Sequence, residues 1–152
     1  MRLQYPFTYC ELQKQGNISL LVKLVEAAYQ KKEEDGAWIV ITACLKLLVV
    51  LSLYKPTFIF LTQTFLVNVV VEIFIETVSK PLLLDCIRAC LNLLCFFTND
   101  ENLRIVMLNR DFIRGVLRLI DSTPDLSTRA CVRALLVDLS TELGFSGIIR
   151  QI

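Results

Sequence analysis

The nine residues Cys86-Ile87-Arg88-Ala89-Cys90-Leu91-Asn92-Leu93-Leu94 have near copies once before and once after them, and their reading decides the fold. Displacing the chain by 46 residues sets Ala43 on Ala89, Cys44 on Cys90, Leu45 on Leu91, Leu47 on Leu93, Leu48 on Leu94 and Ser52 on Thr98. A second displacement of 46 sets Leu135 and Leu136 on Ala89 and Cys90, and Leu139 on Leu93. A polar column, Lys46, Asn92 and Asp138, then runs through the three copies. Such a period falls in the range of helical repeats, whose units each bury an apolar face against the next. A rival spacing of 41 matches Arg129-Ala130-Cys131 to Arg88-Ala89-Cys90. The 46 register is preferred because it also aligns the segments that come before.

Those preceding segments are amphipathic. Ile18-Leu21-Val22-Val25, Leu66-Val69-Val70-Ile73 and Ile113-Val116-Leu117-Ile120 each place apolar residues at i, i+3, i+4 and i+7, one face of an α-helix. Further upstream, Phe58-Leu61 and Ile105-Leu108 predict a short helix in the second and third copies. The unit is therefore short helix, middle helix, long helix. Val69-Val70-Val71 has the β-branching of a strand, but its helical spacing recurs in two sister segments, so helix is expected.

That layout resembles the armadillo repeat, whose long third helix commonly reads Ala-x-x-Ala-Leu-x-Asn-Leu. Cys86, Ala89, Cys90, Asn92 and Leu93 fit the pattern, with Cys replacing the first Ala and the Leu. Val40, Ala43, Cys44, Lys46 and Leu47 fit it less closely, as do Val132, Leu135, Leu136, Asp138 and Leu139. The resemblance covers Asn17 to Thr141 and implies an all-α, right-handed α-solenoid of about three repeats. It divides a single domain, 1–152, into repeats of about 1–55, 56–100 and 101–143, with 144–152 beginning a fourth unit or a cap. In armadillo proteins the long helices line a concave groove, and the motif Asn forms a ladder along a bound peptide. Asn92 alone carries that role over, flanked by Lys46 and Asp138, so import-signal recognition of the family's usual kind is not implied.

Composition agrees with a packed helical domain. The chain has 152 residues, 55% of them hydrophobic, and a formal net charge of +1. Its mean hydropathy of +0.57 is above the ordinary globular range. Residues 1–55 carry 12 charges and 104–152 carry 12, against 7 in 56–103. A centre covered on both sides between more polar ends predicts this profile. The rival is a membrane-embedded helical hairpin over about 37–75, because Trp38 to Tyr54 and Thr57 to Val71 are almost uncharged. Each run is shorter than the about 20 residues of a span, Lys55-Pro56 separates them, and Lys46 would lie mid-membrane. A compact helical regulatory bundle is the third reading; it predicts that Ile18–Val25 packs on Val132–Leu139.

The boundaries follow from local chemistry. Tyr5-Pro6-Phe7 breaks any long N-terminal helix, and Met1 to Gly16 holds no apolar stretch of the secretory kind. Asn17 is expected to cap the first amphipathic helix, and Lys31 to Gly36 to form a charged turn. Lys55-Pro56 and Ser79-Lys80-Pro81 mark breaks. Thr98-Asn99-Asp100-Glu101 has the form of a capping box, Pro124 is expected just inside the last long helix, and Gly144 at its end. An apolar face left at that end predicts self-association through terminal repeats, or further repeats beyond it.

No catalytic site is expected. The chain has no histidine, which removes the commonest general base and zinc ligand. Its six cysteines form no C-x-x-C pair, and Cys44, Cys86, Cys90 and Cys131 fall on expected buried faces. Neither a metal nor a cofactor is expected, and the cysteine usage suits a reducing, cytoplasmic compartment. Glu72 and Glu76, one turn apart, read as a solvated face. The function expected is a non-enzymatic scaffold or adaptor that binds a partner peptide or helix on the long-helix surface, at Lys46, Arg88, Asn92 and Asp138. Arg110, Arg114 and Arg118 at i, i+4 and i+8, with Arg129 and Arg133, form a candidate basic docking ridge. Nucleic acid is disfavoured as its partner, since Asp111 and Asp121 lie nearby and no aromatic residues are interleaved.

Overall fold

The computed structural model describes residues 13–152, and among these the chain forms nine α-helices, a single-turn 3-10 helix and no strand. Helix α1 (Gln15–Gln30) runs into α2 (Ala37–Leu51) through the charged turn expected at Lys31 to Gly36. Gly36 ends that turn at φ 81°, left-handed backbone that a residue with a Cβ adopts only at a cost. Helix α3 (Lys55–Thr62) carries Pro56 in its first turn, where a missing amide breaks no hydrogen bond. Helix α4 (Leu66–Thr77) follows, so the β-branched run is helical as expected. Pro81–Leu83 forms the 3-10 turn before α5 (Leu84–Phe97). The chain continues as α6 (Glu101–Met107), α7 (Arg110–Ser122), α8 (Leu126–Ser140) and α9 (Phe145–Gln151). The expected Tyr5-Pro6-Phe7 break lies outside the described residues.

The helices pack in two rows. The long helices α2, α5 and α8 lie side by side in that order, and the middle helices α1, α4 and α7 form the second row against them. Each middle helix packs on the long helix that follows it: α1 on α2, α4 on α5, α7 on α8. The short helices fill the edges, α3 against α1 and α4, α6 against α4 and α8, while α9 folds onto α7 and α8. Helices α1 and α8 share no packed face of comparable size among the described residues, although a compact bundle would bring them together.

The core runs unbroken between the rows. Ile18, Val22 and Val25 of α1, Leu66, Val70 and Ile73 of α4, and Ile113 and Val116 of α7 are all buried, as their spacing predicts. Full burial of each such side chain is worth roughly 1.5–3 kcal/mol. Phe74 and Phe112 meet edge to face at 5.2 Å across α4 and α7. Their approach depends on Gly115: a Cβ there would stand 3.2 Å from the Phe74 ring and from Val78 Cγ1. A glycine inside a helix costs about 1 kcal/mol against alanine, and close packing of α7 on α4 is what it permits.

Burial bears on the two competing registers. Ile41, Leu45, Leu48 and Ser52 are buried along α2 and its C-cap, and Ile87, Leu91, Leu94 and Thr98 along α5 and its C-cap, a displacement of 46. The buried stripe of α8 is Thr128, Val132, Leu135 and Leu139, displaced by 41 from that of α5. A spacing of 41 thus carries the buried stripe shared by α2 and α5 on to α8, while Cys86, Ala89 and Leu93, buried as well, lie 46 residues before Val132, Leu135 and Leu139. Both spacings fit because a slip of five residues, near one and a half turns, still lands leucine on leucine in so apolar a string.

Several caps also sit elsewhere than expected. Lys14, not Asn17, occupies the N-cap of α1, and Asn17 lies within the first turn. The cap of α6 is Asp100, whose carboxylate accepts from the backbone N–H of Asn102 and Leu103 at 2.9 and 3.2 Å. Thr98 instead closes α5, its hydroxyl returning to the Cys95 carbonyl at 2.8 Å. Pro124 precedes α8, which is capped by Asp125. Gly144 starts α9; α8 ends at Ser140. Aspartate takes the caps of α6 and α8 because its short carboxylate reaches the free amides of a first turn.

No single helix among the described residues is long and apolar enough to cross a membrane. The uncharged stretch is divided into α3 and α4, bent 81° to each other, and its Leu61, Leu66, Val67, Val70 and Phe74 lie in the core.

Candidate interaction surface

Helix α5 presents one outward stripe. Its apolar residues face α2, α4 and α8, so Asp85, Arg88 and Asn92, at i, i+3 and i+7, remain on the open side of the row. Arg88 bridges to both neighbours in charge: its guanidinium stands 3.8 Å from Asp85 on its own helix and 3.1 Å from Asp125 at the start of α8. Lys46 of α2 reaches Asp85 at 3.9 Å. These contacts join all three long helices through one chain of alternating charge.

Asp125 is held firmly ionised. The Thr128 hydroxyl donates to it, the Ser127 amide and Arg88 add to that, and its carboxyl is held below the usual aspartate range. With Leu91, Asn92, Ser127, Thr128 and Cys131, the Arg88–Asp125 pair lines a hollow of about 50 Å³ between α5 and α8. Arg88 Nε is buried there without a hydrogen-bond partner among the described residues. The Asn92 carboxamide lies over this hollow, its Oδ1 3.9 Å from Cys131 Sγ.

The expected groove residues are thus only partly brought together. Lys46, Arg88 and Asn92 share the face. Asp138 does not: it is half-buried, accepting from the Thr98 hydroxyl at 2.8 Å, and seven residues, or about 10 Å along the helix, separate it from Cys131, which is level with Asn92. In the 41 register the position equivalent to Asn92 is Arg133, which is exposed, so the column reads Lys46, Asn92, Arg133.

The candidate basic ridge divides in the same way. Arg110, Arg114 and Arg118 run along α7, with Arg110 and Arg118 exposed and Arg114 half-buried. Arg129 turns back to donate from Nε to the Thr123 carbonyl at 2.7 Å, tying down the α7–α8 corner. It acts as a structural clamp there, while Arg133 belongs to the long-helix face.

A second polar cluster joins α1, α2 and α4. Lys32 donates to Glu76 at 3.0 Å and stands 4.7 Å over the Tyr29 ring; Lys80 stands 3.9 Å from Glu76 and 5.6 Å over Trp38. Burial pushes the Glu76 carboxyl up, but the hydrogen bonds from Lys32 and Tyr29 outweigh it and hold the group below its usual value. Burial and Glu76 raise the Tyr29 hydroxyl. Glu76 is thus an interhelix anchor and not the solvated residue expected, whereas Glu72 is exposed. A larger hollow, about 410 Å³, lies elsewhere, at the α1–α2 corner between Leu24, Ala28 and Val40 with Lys31 and Glu34 at its rim.

Asp85, Asp125 and Cys95 were not singled out in the sequence. Asp125 had a signal, a short acceptor two residues past Thr123 and just before an apolar helical run; Asp85 and Cys95 had none without the register. Among the described residues no group of three or more Cys, Asp or Glu side chains is placed to hold a metal ion. Comparison with protein-family models, with curated proteins and with solved structures finds no match to this chain.

Proposed function

We propose that the chain is a right-handed α-solenoid of three armadillo-like units and works as a non-enzymatic interaction scaffold, binding a partner peptide or helix across α2, α5 and α8. The observation that carries this reading is the exposed polar column Lys46, Asn92, Arg133, one residue from each long helix at equivalent positions. A row of parallel elements with one outward polar residue each is a repeating surface, suited to an extended or helical segment rather than to a small molecule. Between the column residues, Asp85, Arg88 and Asp125 supply charges of both signs, so the partner segment is itself of mixed charge. The two-row packing supports the solenoid, and the buried free thiols of Cys44, Cys86 and Cys90 support a reducing, cytoplasmic setting.

Selection of a displayed peptide library on the full chain tests the reading. Enriched sequences are expected to share a charged pattern and to lose at least tenfold in affinity for Asn92→Ala and for Arg133→Glu, with melting unchanged. Peptides that bind both variants as well as the parent chain would place recognition on another surface.

A further inference from the structure

The α5–α8 seam brings two thiols together at the edge of the core. Cys95 lies in the last turn of α5 and Cys131 in the second turn of α8, and their sulfurs are 2.8 Å apart. That is inside ordinary sulfur contact and within about 0.8 Å of a disulfide bond, whose S–S length is about 2.05 Å. Both residues are half-buried, whereas Cys44, Cys86 and Cys90 are shut in the core. Cys131 lines the hollow beneath Asn92, so a small reagent meets its sulfur from the open side.

We propose that Cys95 and Cys131 are a redox modification site that closes into a disulfide joining α5 to α8, with a small-molecule disulfide of the glutathione class as oxidant. The Cys131 thiolate attacks one sulfur of the oxidant, and the other half leaves as a thiolate that takes up a proton. Cys95 then loses its proton and attacks the Cys131 sulfur of the mixed disulfide, expelling the second thiolate, which is protonated in turn. Two protein thiols are oxidised by two electrons and one disulfide is reduced to two thiols. The order is set by the surroundings: the hydrogen bond from the Cys95 thiol lowers Cys131 below the usual thiol value, while the same bond, with burial, raises Cys95. The attacking group must be a thiolate, and only Cys131 is both favoured as one and open to the hollow.

Closure would fasten the end of α5 to α8 under Asn92, and so fix the depth of the groove floor. It also ties together two positions 36 apart in the sequence, which constrains the unfolded chain.

The test treats the full chain with oxidised glutathione and maps its peptides by mass spectrometry without reduction. The expected product is a cross-link between the peptides holding Cys95 and Cys131, two hydrogen atoms lighter than their sum, reversed by dithiothreitol. Melting of the oxidised protein is expected to rise by roughly 10 °C. Cys95→Ser should instead accumulate the glutathione adduct on Cys131, and Cys131→Ser should react far more slowly. A chain that stays reduced, that cross-links other cysteines first, or that melts lower once cross-linked would overturn the proposal; the wild-type map is informative even where a serine variant folds poorly.

Discussion

Helices α5 and α8 are neighbours in one row, of nearly equal length and with matching strings of sequence, yet they are buried differently. Helix α5 has Cys86, Ile87, Ala89, Cys90, Leu91, Leu93, Leu94 and Phe97 inaccessible, whereas α8 buries one stripe, Thr128, Val132, Leu135 and Leu139. The difference lies in position rather than in composition. A long helix lies on each side of α5, while α8 has one on a single flank. A residue shared by the two copies is therefore core in one and surface in the other, and the choice between registers becomes a choice between sharply different mutational outcomes.

The largest effect is expected from Leu93→Asp. Leu93 is fully buried, and an unpaired carboxylate there costs on the order of 5 kcal/mol, most of what such a domain has. In the 41 register its counterpart is Ala134, which is exposed, so Ala134→Asp is expected to shift stability by no more than about 0.5 kcal/mol. Urea unfolding of both variants checks the pair. Equal losses would make Ala134 a core position and overturn the exposed face assigned to α8.

Leu94→Ala and Leu135→Ala come next. These positions are equivalent and both wholly buried, but α5 is enclosed on more sides and can relax less into a cavity. About 3–5 kcal/mol is expected at Leu94 and about 2–3 kcal/mol at Leu135, read from the midpoints of denaturant unfolding at constant slope. A larger loss at Leu135 would mean that α8 is the better enclosed of the two.

The row of middle helices offers a third contrast, because its α1–α4 joint is closed by charge. The Glu76 carboxyl is lower in the folded chain than its ordinary value of 4.5, so it adds stability above that value and loses it as pH falls through the lowered one. The chain's one tryptophan, Trp38, sits beside Lys80 and Tyr29 in this cluster. Its emission should therefore report an acid transition below about pH 4.5, and Glu76→Gln should flatten that transition while lowering stability at neutral pH. An unchanged acid profile in Glu76→Gln would assign the acid sensitivity to another carboxylate.

How much of this was legible in the sequence depends on the range of the interaction. The faces of α1, α4 and α7 follow from the spacing of Ile18, Val22 and Val25 and their sister residues, since a 3.6-residue period is set by local geometry alone. The register of α8 was not legible, because Leu135, Leu136 and Leu139 satisfy two alignments. The caps fell between these cases: the acceptor lay within two residues of the expected one at Asp100 and Asp125, but which residue takes the turn depends on where the preceding helix ends. The candidate surface inherited the same limit. Lys46, Arg88 and Asn92 share the face because their helices were placed correctly, and Asp138 does not because its copy was shifted.

The smallest effects distinguish these two kinds of residue. Asp138 accepts a hydrogen bond from Thr98 at the α5–α8 seam, so Asp138→Ala leaves a buried hydroxyl with one partner fewer and should cost about 1 kcal/mol. Arg133→Ala, on the open face one and a half turns earlier, should leave stability within about 0.5 kcal/mol of the parent. Thermal melts of the two variants side by side are enough to tell. A loss confined to Asp138 follows if that side chain stitches helices together and Arg133 is free to meet a partner; the reverse order would return Asp138 to the open column and remove Arg133 from it.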